Sequence, residues 1–248
     1  MVSVVIPAYN CGSFIKDTLD SVSSQTFKDV EVIAVDDGSD DDTAGIIEGY
    51  EGDLSIKLLS NRYDRGPAGA RNTGIEEAAG RFVAFLDSDD MWLPEKLEKQ
   101  LSLMKERDCA FSFTGYEFAD SACRGTGRVV RVPEAIDYRH ALSNTTIFTS
   151  TVIFDTEKLS KEDILFPYVE SEDTANWWKV LKKVPCAYGL DEALTLYRRS
   201  GSTLSSNKLR ALKRTWKLYR DVEQLPFMKS LACFTGYGIR AARRRLGL

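Results

Sequence analysis

The chain has 248 residues, 43% of them hydrophobic and 28% charged, with a formal net charge of −4. This composition supports a folded domain with a real core and argues against disorder; no run approaches the ~20 apolar residues of a membrane-spanning helix, and the N-terminus lacks the basic start and long apolar stretch of a secretory signal. The five cysteines show no CxxC spacing and His140 is the only histidine, which excludes a histidine metal cage and argues against a disulfide framework or a zinc site, so a reduced, cytoplasmic setting is expected.

In chain order, Val2–Pro7 is a continuous apolar run suited to a strand buried on both faces, and Phe14, Ile15, Leu19 and Val22 follow near helical spacing. Val30–Val35 is a second such run, followed by the polar turn DDGSDDDT and a short helix carrying Ile46, Ile47 and Tyr50. Ser55–Leu59 reads as a third strand, Ala68–Ala79 as a helix closed by Gly80, and Phe82–Leu86 as a fourth strand that leads to a helix over Pro94–Lys105. Repeated β-loop-α units predict an α/β fold with a mostly parallel, right-handed wound central sheet flanked by helices, and such sheets bind ligands at the carboxyl ends of their strands. The polar turns PAYN, DDGS and DSDD all fall at that edge. From Cys109 to about Tyr197 the pattern predicts mixed strands over CAFSFTGYEF, GRVVRV and TIFTSTVIF, with intervening helices that include NWWKVLKK. From Leu204 onward it is helical, with Leu209, Leu212, Trp216, Tyr219 and Val222 on one face.

Charge is uneven along the chain. Residues 206–248 carry eleven Lys or Arg against Asp221 and Glu223, a net of +9, whereas residues 1–205 carry a net of −13. A basic appendage on an acidic body points to anions, either membrane lipid or a phosphorylated substrate, more than to nucleic acid. The lone His140 has no nucleophile motif around it and reads as a surface or packing residue.

The Asp87-Ser88-Asp89-Asp90 run follows an apolar strand. Carboxylates crowded there suit a hard divalent cation such as Mg²⁺ or Mn²⁺ bridging to a diphosphate, or else a solvated turn capping the next helix. Asp36-Asp37-Gly38-Ser39 stands where an acid recognises ribose or base in nucleotide-binding sheets, or forms an Asx turn. Gly66-Pro67-Ala68-Gly69-Ala70-Arg71 opens a helix whose N–H groups and arginine suit phosphate oxygens, or is a tight loop-to-helix transition; no GK[ST] follows, so it is not a P-loop. Glu172-Asp173 precedes Trp177 and Trp178, where desolvation would raise a carboxyl pKa as a general base requires, or Asp173 simply caps its helix.

Taken together, VSVVIPAYN, VDDGSDDDT, GPAGARNTGIEEAAGRFVAFLDSDD, SEDxxxW and LYRRSGSTLS resemble glycosyltransferase family 2 in order and separation, over residues 2–205. Within the family the chain looks most like bacterial enzymes building O-antigen, capsule or teichuronic-type polysaccharides. The resemblance implies a GT-A fold over 1–205, with a nucleotide-sugar-binding half (1–105) and an acceptor half (106–205), and a basic helical extension over 206–248. It implies an inverting transferase with Mn²⁺ or Mg²⁺ as cofactor, a nucleotide-diphosphate sugar (UDP-linked) as donor, and a saccharide acceptor. The basic tail either attaches at the inner face of an anionic membrane, where a lipid-linked acceptor would lie, or packs Leu209–Val222 on the catalytic domain and leaves only the final arginines free. Carried onto this sequence, Pro7, Ala8, Tyr9 and Asp37 would surround base and ribose, Asp87 would contact the ribose or the metal's water shell, Arg71 would support the acidic strand end or the diphosphate, and Ser88 would also face the donor. Asp89 would ligate the metal, Asp173 would be the catalytic base, and Glu172 and Trp177 would hold the acceptor, Trp177 as its platform. Where many relatives have a histidine after the Tyr-Arg pair, this chain has Ser200, so either the metal rests on fewer protein ligands or Arg198 and Arg199 neutralise the departing diphosphate instead. Acceptor recognition is expected around Asn144–Thr151. A sugar-nucleotide pyrophosphorylase should show a Gly-rich loop with arginine after the first strand, which PAYNCGSF is not; a catalytically idle carbohydrate-binding module would be told apart by its failure to release nucleoside diphosphate from a donor.

Overall fold

A computed structural model of the chain describes residues 1–144, 146–199 and 208–246. The Ser200 departure and the proposed boundary at 205/206 lie outside the described residues. The first half is built as the hydrophobic spacing predicts: β1 (Val2–Ala8), α1 (Ile15–Ser23), β2 (Val30–Asp36), α2 (Thr43–Glu48), β3 (Ser55–Ser60), α3 (Pro67–Glu77), β4 (Phe82–Phe85), β5 (Met91–Trp92) and α4 (Lys96–Glu106). There follow β6 (Phe111–Ala119), β7 (Gly125–Val130), β8 (Ala135–Ile136), α5 (Tyr138–Ala141), β9 (Ile153–Asp155), α6 (Lys161–Ile164), α7 (Glu172–Leu181), β10 (Ala187–Arg198), α8 (Lys208–Lys217) and α9 (Phe227–Leu246).

The strands form one mixed sheet in the order β3-β2-β1-β4-β9-β6-β10-β5, with β7 paired to β6 and β8 to β10. The pairs β3/β2, β2/β1, β1/β4 and β6/β10 are parallel, while β9 runs antiparallel between β4 and β6. Ala8 stands opposite Asp36 and Val5 opposite Phe85, so the chain leaves β1, β2 and β4 at one edge of the sheet. Alternation along the strands divides the core. Val5, Ile33, Val35, Val83 and Phe85 face α3 and α7, and Val4, Ile6, Val32, Ala34 and Ala84 face α1 and α4. Helix α3 lies unusually close to the sheet: a Cβ at Gly74 would stand 2.4 Å from Val5 Cγ1, and residues Ala68 through Ile75 are all buried. Glycine is needed there because the helix and β1 touch backbone to side chain.

The segment 146–154 is not the strand its apolar content predicts. Thr149–Thr151 forms a 3₁₀ turn before the short β9, because Ser150 is turned inward to hydrogen-bond Asp90 and to accept the Trp92 indole N–H. The C-terminal helices pack on the sheet domain: the Tyr219 ring stacks on Trp178 with centroids 5.3 Å apart, its hydroxyl donates to the Leu142 carbonyl, and Leu218 and Leu225 are buried beside it. The apolar face expected on this segment is only partly buried: Leu212 and Val222 are exposed, and a π-helical turn at Leu218–Val222 turns Leu218 inward beside Tyr219. Among the described residues no helix is long and apolar enough to cross a membrane.

Candidate active site

A cavity of about 590 Å³ opens at the carboxyl edge of β1, β2 and β4. Pro7, Ala8 and Tyr9 line it from the end of β1, Asp37 from the turn after β2, Arg71 from α3, and Asp87, Ser88 and Asp89 from the turn after β4. Apart from Arg198 and Arg199, all the positions assigned to donor or metal by resemblance therefore share one cavity. Two residues of the DDGS turn divide the work that the sequence left open. The Asp36 carboxylate accepts from the Gly38 and Ser39 N–H groups, an Asx-type turn. Asp37, 9% exposed, accepts from Gly66 N at 2.7 Å and from the Asn61 amide, and so fixes the start of α3 against the end of β2. Arg65, absent from the residues read out of the sequence, also lines this cavity; it donates to the Asp37 and Gly38 carbonyls and sits 5.4 Å from the Tyr9 ring centroid. Nothing in its local sequence separated it from an ordinary loop arginine.

Arg71 is the strut of the site. It is 5% exposed, reaches Asp87 through Nη2 at 2.7 Å and Glu172 through Nη1 at 2.9 Å, and lies over the Phe166 ring at 5.1 Å. One guanidinium thus ties the acidic turn after β4 to the first turn of α7. Asp90 points away from the cavity: it is fully buried, accepts from Ser150 Oγ at 2.6 Å and from the Arg198 N–H at 3.1 Å, and burial raises its pKa well above the usual carboxylate range. Asp89 does line the cavity, and burial, then the charge of Asp87, push its pKa up to about 6. Among the described residues no group of three or more His, Cys, Asp or Glu is arranged to cage a metal. The residues nonetheless fit a hard cation: ionised Asp89 next to Asp87 gains from a positive charge, and Mg²⁺-type ions commonly take one or two carboxylates and complete their shell with water and phosphate oxygens.

Arg198 does not face a diphosphate. It is 3% exposed and spends its donors on the Asp89 and Ser121 carbonyls and the Asp17 carboxylate, so it braces the acidic turn from behind. Arg199 is exposed and lines a second cavity instead.

That second cavity, about 460 Å³, contains Glu172 and Asp173. Burial, then the neighbouring Glu172 charge, raise the Asp173 pKa to about 6. Asp173 lies in the first turn of α7 but does not cap it with its side chain; Ser171 is the N-cap residue, in a left-handed conformation with φ 61°. The expected acceptor platform is misplaced in one respect. Trp177 is 3% exposed and packs into the core against Phe111, Phe154 and Phe166, because α7 turns its Trp177–Trp178 face to the sheet and to α5. The rings that line the cavity are Tyr116 and Phe118 of β6, Phe148 and Tyr197, in mutual contact at centroid distances of 4.6 to 6.1 Å. Phe148 falls within the 144–151 region expected to see the acceptor; Tyr116 and Phe118 are spaced i, i+2 on one face of β6, a signal the sequence did carry. Arg214, Thr215 and Tyr237 from the C-terminal helices also line it, as sequence reasoning did not anticipate. His140 lines neither cavity; it is exposed and its Nδ1 lies 2.8 Å from Asp137.

The Glycosyl transferase family 2 model matches residues 3–165, which span the whole first cavity. Over 248 residues the chain is 44% identical to a Bacillus subtilis protein named for teichuronic acid biosynthesis, the glycosyltransferase TuaG, covering 99% of this chain and 98% of that one. The chain belongs to glycosyltransferase family 2. Family 2 membership makes it an enzyme that transfers a sugar. A second relative, 37% identical over 92% of this chain and 89% of its own length, is the Escherichia coli enzyme named UDP-Glc:alpha-D-GlcNAc-diphosphoundecaprenol beta-1,3-glucosyltransferase WfgD. Among solved structures, S. aureus TarS in complex with UDP-GlcNAc shares the fold with a TM-score of 0.72 at 23% identity, covering 100% of this chain and 73% of that one. A Pyrobaculum calidifontis mannosyltransferase, PcManGT, in complex with GDP-Man and Mn²⁺, has a TM-score of 0.69 at 18% identity, covering 95% of this chain and 68% of that one. These neighbours share the GT-A arrangement of a mostly parallel sheet flanked by helices that the sequence implied.

Proposed function

We propose that this family 2 enzyme is an inverting transferase that moves a sugar from a UDP-sugar onto a hydroxyl of a lipid-linked saccharide. The observation that carries the reading is Arg71, which holds Asp87 at the lip of one cavity and Glu172, beside Asp173, at the lip of the other. One cavity takes the nucleotide, with base and ribose against Tyr9 and Asp37; the other takes the acceptor. Asp173 accepts the proton of the acceptor hydroxyl, whose oxygen bonds to the anomeric carbon as the bond from that carbon to the donor diphosphate breaks. Direct displacement inverts the anomeric centre and needs no covalent sugar–enzyme species. Mn²⁺ or Mg²⁺ bound at Asp89 would neutralise the negative charge of the departing diphosphate. The aromatic rings around Phe148 and Tyr197 take the sugar-facing role first assigned to Trp177. The names of TuaG and WfgD, the latter with a diphosphoundecaprenol acceptor, support a lipid-linked acceptor here.

The test is a screen of UDP-, GDP- and dTDP-sugars for slow release of nucleoside diphosphate. UDP-sugars should be hydrolysed, EDTA should abolish the release, and Mn²⁺ or Mg²⁺ should restore it; turnover undiminished by EDTA would remove the cation from the mechanism.

We further propose that α9 rests on anionic membrane. Its inner face carries buried Ser230 and half-buried Cys233, Phe234 and Tyr237, while Met228, Leu231 and Ile239 form an exposed apolar stripe on the opposite side, with Lys229 beside them and Arg243, Arg244 and Arg245 following in sequence. Apolar burial plus ~1 kcal/mol for each nearby basic residue is the usual basis of interfacial binding. The chain should float with phosphatidylglycerol vesicles and not with phosphatidylcholine, and Met228→Glu with Leu231→Glu should abolish flotation. Flotation unaffected by the double substitution would discard this orientation.

A further inference from the structure

We propose that the cavity holding Asp173 has a phosphate-binding end made by Arg199 and Arg214, so that the C-terminal helices complete the acceptor site and select an acceptor that carries a diphosphate. This rests on the reading of Asp173 as the base of a sugar transfer. The two arginines come from separate parts of the chain, Arg199 just beyond β10 and Arg214 from α8, yet both line the same cavity of about 460 Å³.

Neither guanidinium forms a salt bridge among the described residues. Arg214 Nε is buried with no hydrogen-bond partner, and Arg199 lies over the Phe118 ring, 5.5 Å from its centroid. A donor withdrawn from water without an acceptor is costly, and a fork of N–H groups matches two oxygens of a phosphate. The competing anions in the cavity are already accounted for: Glu172 is held by Arg71 at 2.9 Å, and Asp173 sits in the first turn of α7, where the helix dipole favours negative charge. The cavity thus offers a base, an aromatic wall of Tyr116, Phe148 and Tyr197, and two unpaired cations. A neutral saccharide would use the first two, leave the buried Arg214 Nε without an acceptor and leave Arg199 to water. A sugar joined through a diphosphate to an alkyl chain uses all three. The excess positive charge of the C-terminal segment then has a second purpose besides lipid attraction, since Arg214 faces inward while the stripe on α9 faces outward.

The experiment uses the full chain with UDP and Mg²⁺ at saturation, so that the donor cavity is occupied. Octyl diphosphate, inorganic pyrophosphate and octyl glucoside are then titrated by calorimetry. Octyl diphosphate should bind the wild type; Arg199→Ala and Arg214→Ala should each weaken it about tenfold or more, and Arg214→Lys should weaken it less, because the charge stays and the fork is lost. Circular dichroism and UDP affinity check the fold of each variant. Pyrophosphate binding as tight as octyl diphosphate would assign the end to the phosphates alone, and weaker binding would assign it to an alkyl-linked diphosphate; both support the proposal. No binding of octyl diphosphate while UDP fills the donor cavity, octyl glucoside binding as tight as octyl diphosphate, or equal affinity in wild type and both alanine variants, would overturn it. A chain that takes octyl diphosphate through both arginines but does not take UDP keeps this site and overturns the donor reading instead.

Discussion

Asp173→Asn is expected to reduce sugar transfer about 10²–10⁴-fold, the usual contribution of a positioned general base, while UDP affinity holds. The asparagine keeps the shape of the side chain and cannot take the proton. As the proposed base, the same residue is expected to set the acid limb of the pH profile. Its pKa is raised from the ordinary 3.8 to about 6, first by burial and then by Glu172. The ionised form is the active one, so kcat/KM should be level above about pH 6 and fall tenfold per unit below it. A carboxyl with a raised folded pKa disfavours the fold once pH exceeds its unfolded value, so the variant's Tm at neutral pH should stay level or rise. Activity would then be lost without stability, a combination that a helix-capping role for Asp173 does not produce. An acid limb near pH 4, or transfer within a few-fold of wild type, would refute the assignment.

Arg71→Ala is expected to damage both stability and transfer. Removing one partner of a buried ion pair costs roughly 3–5 kcal/mol, because the remaining charges lose their compensation. Here two carboxylates are stranded, Asp87 with 26% and Glu172 with 18% of the side chain exposed, so partial hydration places the loss toward the lower end. Urea denaturation would measure it as a shift in midpoint. Arg71→Lys should recover only part of the loss, since a single ammonium on a flexible stem does not span both carboxylates with the arginine's fixed fork. Wild-type stability in Arg71→Ala would mean that the two carboxylates are held by their own loops and that Arg71 links nothing.

How much of this was legible beforehand follows from how local each signal is. The first half of the sheet is read from apolar runs and turns because each β-loop-α unit is contiguous, and the register of β1, β2 and β4 then forces PAYN, DDGS and DSDD to one edge. The long strand β10 escaped separate notice because Asp191 and Glu192 interrupt its alternation where its pairing with β6 shifts register. Trp177 and Arg198 were misassigned for different reasons. Arg198 stands between Tyr197 and Arg199, which line the second cavity, and strand alternation sends it to the other side. Trp177 shares a helical face with Asp173, but buried α7 packs that face against Phe111, Phe154 and Phe166. The second cavity was the least legible, since it is assembled from β6, the 146–151 segment, α7, the end of β10 and the C-terminal helices. No single stretch of sequence carries that juxtaposition.

The close seat of α3 on β1 at Gly74 has a bearing on motion. A helix lying against a strand with no gap between them has nowhere to tilt, so α3 holds Arg71 at a fixed place between Asp87 and Glu172. The rim is less enclosed: Tyr9 is half exposed and meets Arg65 through its ring, while Arg65 is itself tied to the Asp37 and Gly38 carbonyls. The floor of the first cavity is thus rigidly seated, and substitutions at Tyr9, whose ring is half exposed, disturb the core least.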